Sequence, residues 1–452
     1  MKESIPDKIF DAYQKIQKAG FEVFFVGGGV RNMLLKQPVK DWDLTTNATP
    51  DQVQKLFRDS FYDNDFGTVG IPLEMDGEKH VLEITTFRTE QDYTDRRHPS
   101  KVSWGKTIEE DLARRDFTIN AIALKVRETK TKLVDPFDGQ KDLAKESIKA
   151  VGDPNQRFKE DALRLMRAIR FATQLNFQIE EKTWEAIIKD SALIEEISFE
   201  RIRDEFLKIL ASKEPEKGII LLKESGILKH ILPELLEGEG VSQKRPGRHH
   251  TEDVFTHNLL SLKYTPSKDP IVRFAALIHD IGKPRVEGKD EKGLVIFYNH
   301  EIEGAKIAAL VADRFKLSKK ETEKIVTLIR WHMFNVDEKI TDAAVRRFIR
   351  RIGQENVADM MDLRVGDRLG GGTQTAESWR LKLFKERVSG ELAPKPFSIN
   401  DMAINGNDVM KELNIKPGPK VGEILQKLFE EVDNDLDKNN TKYLLKKVKE
   451  LN

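Results

Sequence analysis

The chain has 452 residues, with 76 lysines plus arginines balanced by 76 aspartates plus glutamates, and it has no cysteine. Length favours three or more packed units over one hydrophobic core, and the cancelled charge removes any global pull on nucleic acid, leaving RNA binding to local basic patches. The missing cysteines exclude disulfides, thiolate zinc sites and cysteine nucleophiles, and fit a reducing compartment.

The opening MKESIPDKIFDAYQKI is polar and amphipathic rather than signal-peptide-like. No apolar run approaches the roughly 20 residues of a bilayer span, so a cytoplasmic protein without a membrane partner is expected. Residues 1–20 read as a helix ending at Gly20, and FEVFFVGG as a short buried strand running into glycines. VRNMLLKQ has a helical period, DWDLTT alternates like a strand, and TPDQVQKLFRD is a helix capped by Thr49 with Pro50 in its first position. Further strands are expected near 66–75, 80–88 and 118–125, and a turn at Asp135–Gly139.

From about Arg157 the character changes. EDALRLMRAIRFATQLNF and FERIRDEFLKILAS place apolar residues at three- and four-residue spacing, so the remainder is expected to be essentially all α. EGEGVSQKRPGR (237–248) reads as a linker, and a second boundary falls near Gly370–Thr375. The fold class is therefore α+β. A mixed head at about 1–150 precedes a helical neck at 151–240, a third domain at 241–375 and a helical tail at 376–452.

Asp41 and Asp43 stand two apart in DWDLTT, a spacing that on a strand points both carboxylates to one face. Paired hard oxygen ligands suit Mg²⁺, which with substrate phosphates activates an attacking hydroxyl and stabilises a leaving pyrophosphate. Taken alone, such a pair is more often a solvated strand edge. The glycine-rich FVGGGVRNML precedes it by about one helix, and backbone amides around Gly28 together with Arg31 suit a triphosphate. A dinucleotide-binding reading fails because Asn32 stands where the third glycine belongs. Glu83, in HVLEITTFR, is a candidate third carboxylate, and DLARRDFTINAIAL sets Arg114, Arg115, Asp116 and Asn120 around an apolar segment, mixing phosphate donors with groups that bind ribose hydroxyls.

The combination GG-x-VR, D-x-D-LTTNATP, RRDFTINA, DPFDG, VGDP and EDALRLMRAIRFA, in this order, resembles the bacterial tRNA nucleotidyltransferase and poly(A) polymerase family. The likeness is strong over roughly the first 210 residues, and LAPKPFSINDMAINGNDVMKELNIKPGPKVGEIL is similar to the end of CCA-adding enzymes. It implies a polymerase β-like head, Mg²⁺, CTP and ATP as substrates and the tRNA 3′ end as partner. Asn32 departs from the family's usual aspartate, which touches a local hydrogen bond beside Arg31.

Asp161, Arg164 and Arg167 recur at three-residue spacing and on a helix share one face. The resemblance implies that this face pairs with the incoming base. Cytosine and adenine both present an exocyclic amine beside a ring-nitrogen acceptor, so a carboxylate and a guanidinium accept them and repel uracil and guanine. QDYTDRRHPSKVSW (91–104) resembles the element that terminal A addition needs, and FERIRDEFLKIL, with Arg201 and Arg203, resembles the motif supporting the base-selecting helix.

The second half holds His257, then His279 with Asp280, then His300, His332 and Asp367, an order that resembles the HD-domain metal-dependent phosphohydrolases. Imidazole and carboxylate ligands suit Mn, Fe, Ni, Co or Mg about equally. Singly, each histidine is more often structural. Whether the site is catalytic or an inherited scaffold stays open at this point, and His249 and His250 read as flanking loop residues. The basic segments AAVRRFIRR (343–351) and KYLLKKVKEL (442–451) suit the tRNA backbone, although a solvated face is the commoner role of any one. The expected activity is addition of C, C and A to tRNA. The alternatives are a poly(A) polymerase, a CC-only or A-only enzyme, or chiefly an HD phosphohydrolase.

Overall fold

In the computed structural model the described residues are 4–63, 67–75, 77–93, 99–127, 131–244, 252–334, 336–337, 339–392 and 398–451. His249 and His250, and residues 94–98 of the segment expected to serve terminal A addition, lie outside them. The chain divides into two compact units, Met1–Pro233 and Glu234–Asn452, so the break falls just before the expected linker.

In the first unit the apolar run VFFV forms β1 (Val23–Val26), buried at every position, as a continuous apolar strand should be. Then follow β2 (Asp43–Thr46), β3 (Phe61–Asp63), β4 (Thr68–Met75), β5 (Glu78–Thr86), β6 (Arg88–Tyr93), β7 (Pro99–Trp104), β8 (Ala123–Val126) and β9 (Thr131–Val134). One sheet runs in space β3-β4-β5-β2-β1-β8-β9, while β6 and β7 pair separately as a hairpin. All its neighbours are antiparallel except β2 and β5, whose parallel register sets Asp43 opposite Glu83. A parallel pair needs a long crossover, and the residues between β2 and β5 supply it.

The unit's helices are α1 (Asp7–Lys18), α2 (Gly27–Leu34), α3 (Pro50–Leu56), α4 (Ile108–Ala113), α5 (Gly139–Ala144), α6 (Pro154–Glu160), α7 (Leu163–Leu175), α8 (Glu181–Asp190), α9 (Phe199–Leu210), α10 (Pro215–Glu224) and α11 (Leu228–Ile231). α1 turns Ile9, Ala12, Tyr13 and Ile16 inward. The Tyr13 hydroxyl accepts from the Val126 amide at 2.9 Å and donates to its carbonyl at 3.1 Å, and its ring stacks on Phe25 at 4.9 Å. α3 begins as expected, with Thr49 and Gln52 closing a capping box and Pro50 in the first turn.

Three expectations shift. Thr118–Asn120 is a turn of 3₁₀ helix and the strand expected over 118–125 starts only at Ala123, because Asn120 and Asp116 bond to each other and divert the backbone. The glycines that close the expected strand FEVFFVGG form the first turn of α2 instead. The region expected to be all α also holds short strands, 178–179 paired with 147–148 of the expected head and 288–289 paired with 295–296.

The second unit is built from α12 (Pro233–Leu236), α13 (Val254–Tyr264), α14 (Pro270–Ile278), α15 (His300–Arg314), α16 (Lys319–Trp331), α17 (Asp342–Ile352), α18 (Val357–Gly370), α19 (Trp379–Leu392), α20 (Gly406–Leu413), α21 (Pro419–Asn434) and α22 (Thr441–Glu450). α20 to α22 enclose their own apolar cluster, with Val409, Leu428, Val432, Leu444 and Val448 fully buried. Among the described residues no helix is long and apolar enough to cross a membrane.

Candidate functional site

Asp43 opens β2 opposite Val26 on one side and Glu83 on the other. Asp41 is not on the strand: it lies exposed before β2, because pairing begins at Asp43 and the intervening Trp42 is drawn into the core, edge-on to Phe25 at 5.6 Å. The two aspartates therefore do not share one strand as expected, and Glu83 stands beside Asp43 on the adjacent strand. Burial pushes the Asp43 carboxyl up to about 6 against the pull of Arg115, and the charges of Glu83 and Asp41 push the same way. Hard oxygens crowded with like charge and partly desolvated are the donor set that a divalent cation relieves.

The glycines explain the approach. Gly27 has φ +68, and a Cβ there would stand 3.0 Å from Asp43 Oδ2 and 3.3 Å from Arg115 Nη1. Gly28 and Arg31 follow on α2. Arg31 donates to Asn32 Oδ1 at 3.0 and 3.1 Å, so the amide oxygen takes the hydrogen bond expected of an acid without bringing its charge. Its other arm reaches Asn120 Oδ1 at 2.8 Å, and burial together with Arg170 pulls the guanidinium down to about 10.

Asp116 anchors this network from within. Its Oδ1 accepts from the Phe117 amide at 2.8 Å and from Asn120 at 3.2 Å, while Oδ2 accepts from Arg167 at 2.6 and 2.8 Å. Burial pushes the carboxyl up, yet Arg167 and Asn120 outweigh it and hold the group well below its usual range. A carboxylate so fully paired orders its neighbours; Asp116 and Asn120 brace Arg31 and Arg167.

Between sheet and helices opens a cleft of about 560 Å³, lined among others by Asp43, Glu83, Arg88, Arg114, Arg115, Asp116, Asp161, Arg164, Arg167 and Arg201. The shared helical face expected for Asp161, Arg164 and Arg167 is only partly present. Asp161 sits in extended backbone between α6 and α7, where its Oδ1 accepts from the Leu163 amide at 3.1 Å and so breaks the helix. Arg201, from α9, holds its two oxygens at 3.0 and 3.2 Å. Arg164 is braced by Glu160 at 2.8 Å and by the carbonyls of Arg157 and Arg114 at 3.0 and 3.2 Å. Arg114 and Arg115 both pair with the buried Asp111, at 2.6 and 3.2 Å. Asp111, Arg88 and Glu160 escaped the sequence reading; Asp111 carries a signal, a carboxylate three and four residues before two arginines.

In the second unit the six predicted residues come together. His257 lies on α13, His279 and Asp280 follow α14, His300 opens α15, His332 follows α16 and Asp367 lies on α18. Gly366 and Gly370 let α18 close onto α13: a Cβ on Gly366 would lie 2.2 Å from Thr265 Oγ1, and one on Gly370 2.5 Å from Ser261 Oγ. That approach brings Asp367 Oδ1 to 3.3 Å from His257 Nε2. Asp280 turns Oδ2 to His257 and His279, at 3.2 and 3.4 Å, and Oδ1 to His300 and His332, at 3.2 and 3.6 Å.

The Nδ1 atoms of His279, His300 and His332 face the carbonyls of Ala276, Phe297 and Ile329 at 2.9, 2.8 and 2.7 Å. A carbonyl only accepts, so Nδ1 carries a proton in each ring and Nε2 is the atom turned to the centre, the orientation of a metal-ligating histidine. His257, His279 and Asp280 form one ligand group, and Asp280, His300 and His332 a second. Lys283, missed in the sequence although three residues past Asp280, pairs with Asp280 and with Gln243. Against the push of burial, Lys283 and His279 hold the Asp280 carboxyl well below the usual range.

The Poly A polymerase head domain model matches residues 23–149, and a model of the second domain of tRNA nucleotidyltransferases matches 287–448. The CCA-adding enzyme of Pediococcus pentosaceus is 32% identical over 99% of this chain and 99% of its own. The chain belongs to the tRNA nucleotidyltransferase family of CCA-adding enzymes. The A-adding tRNA nucleotidyltransferase of Deinococcus radiodurans is 35% identical over 80% of this chain and 82% of its own. The fold is that of the Bacillus stearothermophilus CCA-adding enzyme, solved with CTP, at a TM-score of 0.69 and 24% identity over 97% of this chain and 95% of that one. Family membership implies a divalent metal, which the carboxylates of Asp43 and Glu83 fit.

Proposed function

We propose that this chain adds C, C and A in turn to the 3′ end of tRNA, using CTP and ATP. The carrying observation is the cleft that sets Asp43 and Glu83 on one wall and Asp161 with Arg164 on another. Asp43 and Glu83, with Asp41 from the approach to β2, would hold Mg²⁺, which supplies charge neutralisation at the reacting phosphate. Gly28 and the first turn of α2, with Arg31 and Arg115, orient the triphosphate. Asp161 accepts from the exocyclic amine of cytosine or adenine, and Arg164 donates to the adjacent ring nitrogen, while Arg167, Asp116 and Asn120 keep that wall rigid. The tRNA 3′-oxygen bonds to the α-phosphorus, the bond to the β-phosphate oxygen breaks, and pyrophosphate leaves.

We place head, neck, HD domain and tail at about 1–150, 151–240, 241–375 and 376–452, and the activity in the cytoplasm, where tRNA, CTP and ATP meet. In the second unit His257, His279, Asp280, His300, His332 and Asp367 form an HD-type centre for a divalent metal, Mg²⁺ or a transition ion, suited to polarising a phosphate ester.

Labelled CTP and ATP, separately and together, offered with a tRNA transcript lacking its last three nucleotides, test the first reading. Three ordered additions, lost in Asp43→Ala, carry it. The Deinococcus relative favours one second reading, A addition alone, which would show as ATP incorporation only onto transcripts already ending in CC.

A further inference from the structure

The second unit carries a cavity of about 340 Å³, within the roughly 300–1,000 Å³ of ordinary ligand pockets. The end of α16 and the residues after it, together with α17 and α19, line it with Trp331, Phe334, Phe348, Phe384, Arg347 and Arg351. Phe334, Phe348 and Phe384 pack ring against ring, their centroids 4.8, 5.4 and 5.2 Å apart. Arg351 is exposed, lies over the Trp331 ring at 5.1 Å and makes no ion pair among the described residues. Arg347 is steadied by a neutral partner, the Asn434 amide oxygen, at 3.2 Å. No carboxylate is among the described residues lining this cavity.

The other two arginines of α17 differ. Arg346 and Arg350 converge on the buried Asp433, at 2.8 and 2.5 Å, and Arg346 also pairs with Glu391 at 3.1 Å, so two carboxylates compensate the two charges. The helix thus divides its arginines. One pair ties α17 to α21, and the other sets two guanidiniums beside an aromatic wall, neither of them in an ion pair among the described residues, with Glu430 and Asp433 lining the neighbouring pocket on the α21 side.

Guanidiniums outside any described ion pair, beside the half-buried rings of Trp331 and Phe334 with Phe348 and Phe384 buried behind them, match an unstacked nucleotide: the base lies on the partly exposed aromatic edge and its phosphate pairs with arginine. We propose that this pocket holds one unpaired nucleotide of the RNA substrate, other than the reacting 3′ terminus, with Arg347 and Arg351 on its phosphate. The inference rests on tRNA being the substrate of the first-unit cleft. Charge complementarity commits it to RNA, since every described charged group lining the pocket is cationic.

The test is direct binding of a labelled tRNA transcript to the full chain by fluorescence anisotropy across a salt series. The proteins are the wild type, Arg351→Ala, Arg351→Lys and the double variant Arg347→Ala/Arg351→Ala. The double variant is expected to bind roughly tenfold more weakly, with the slope of log affinity against log salt reduced by about one to two. Arg351→Lys, which keeps the charge and loses the planar stack, falls between wild type and Arg351→Ala. Because Arg351 is exposed, Arg351→Ala decides the matter if the double variant fails to fold.

Wild-type affinity and an unchanged slope in these variants would overturn the proposal. Displacement of the RNA from this site by millimolar AMP or CMP would overturn the commitment to RNA and assign the pocket to a free nucleotide. A wild type that binds tRNA but incorporates nothing would remove the proposed activity and leave this site standing, so the two failures are separable.

Discussion

Replacing Asp161 by asparagine separates base selection from catalysis. The Asp161 carboxylate accepts from Arg201 at 3.0 and 3.2 Å and from the Leu163 amide at 3.1 Å, with its side chain 19% exposed. A partly exposed pair contributes about 1 kcal/mol or less to stability, so the variant is expected to fold. In Asp161→Asn one oxygen acceptor becomes an amide donor that meets the exocyclic amine of cytosine or adenine, donor against donor. A matched pair of hydrogen bonds to a base carries roughly 1–3 kcal/mol of discrimination, which at 1.36 kcal/mol per decade is about 5- to 150-fold in kcat/KM. Single-nucleotide addition with CTP, ATP, UTP and GTP, each as kcat/KM on a transcript lacking CCA, measures it. The preference for CTP over UTP should fall by that factor while the Asp43-dependent chemistry persists. An unchanged ratio would refute the assignment of Asp161 to the base edge.

Glu83→Gln is expected to lower incorporation by about a thousandfold or more without lowering the thermal midpoint, because it removes a charge that crowds Asp43; near wild-type turnover would exclude Glu83 from the cation site. Gly27→Ala forces a side chain into φ +68 and 3.0 Å from Asp43 Oδ2. It should cost about 1–3 kcal/mol in urea unfolding and most of the activity. Asp116 has a folded pKa below its unfolded value near 3.9, so its contribution to stability is present above about pH 4 and is lost as pH falls through the folded pKa. Asp116→Asn should therefore be less stable at pH 7 and lose less on going from pH 4 to pH 2; parallel urea midpoints would contradict this. Chelation followed by dialysis should lower the thermal midpoint of the second unit, and Mn²⁺ or Mg²⁺ should restore it, whereas in His279→Ala/His332→Ala the second unit's transition should not respond to either ion.

The local signals of the sequence carried far where they depend on neighbours in the chain. VFFV became a buried strand, Thr49 and Pro50 opened α3, and the periodic segments after Arg157 became helices. What stayed illegible depends on where backbone pairing begins and ends. The two-residue spacing of Asp41 and Asp43 could not show that β2 starts at Asp43, nor that Glu83 stands opposite it through a parallel register fixed by a crossover of distant residues. The three-residue spacing after Asp161 could not show that its own carboxylate caps Leu163 and interrupts the helix. The histidine cluster was legible as a set because its residue types are costly to bury singly. Lys283 and the glycines that bring α18 onto α13 become meaningful only once the helices pack.

The balance of charge, 76 against 76, resolves the same way. Among the described residues lining the first-unit cleft are six arginines, Arg88, Arg114, Arg115, Arg164, Arg167 and Arg201, against Asp43, Glu83, Asp116 and Asp161. Asp116 is consumed by Arg167 and Asp161 by Arg201, while Asp43 and Glu83 are the carboxylates proposed to hold the cation. Once a divalent cation offsets those two, the wall facing a triphosphate is cationic although the chain is neutral. The attraction then acts over about the 8–10 Å Debye length of physiological salt rather than across the molecule, so raising the salt should weaken tRNA binding by screening two local patches, the cleft and the arginines of α17.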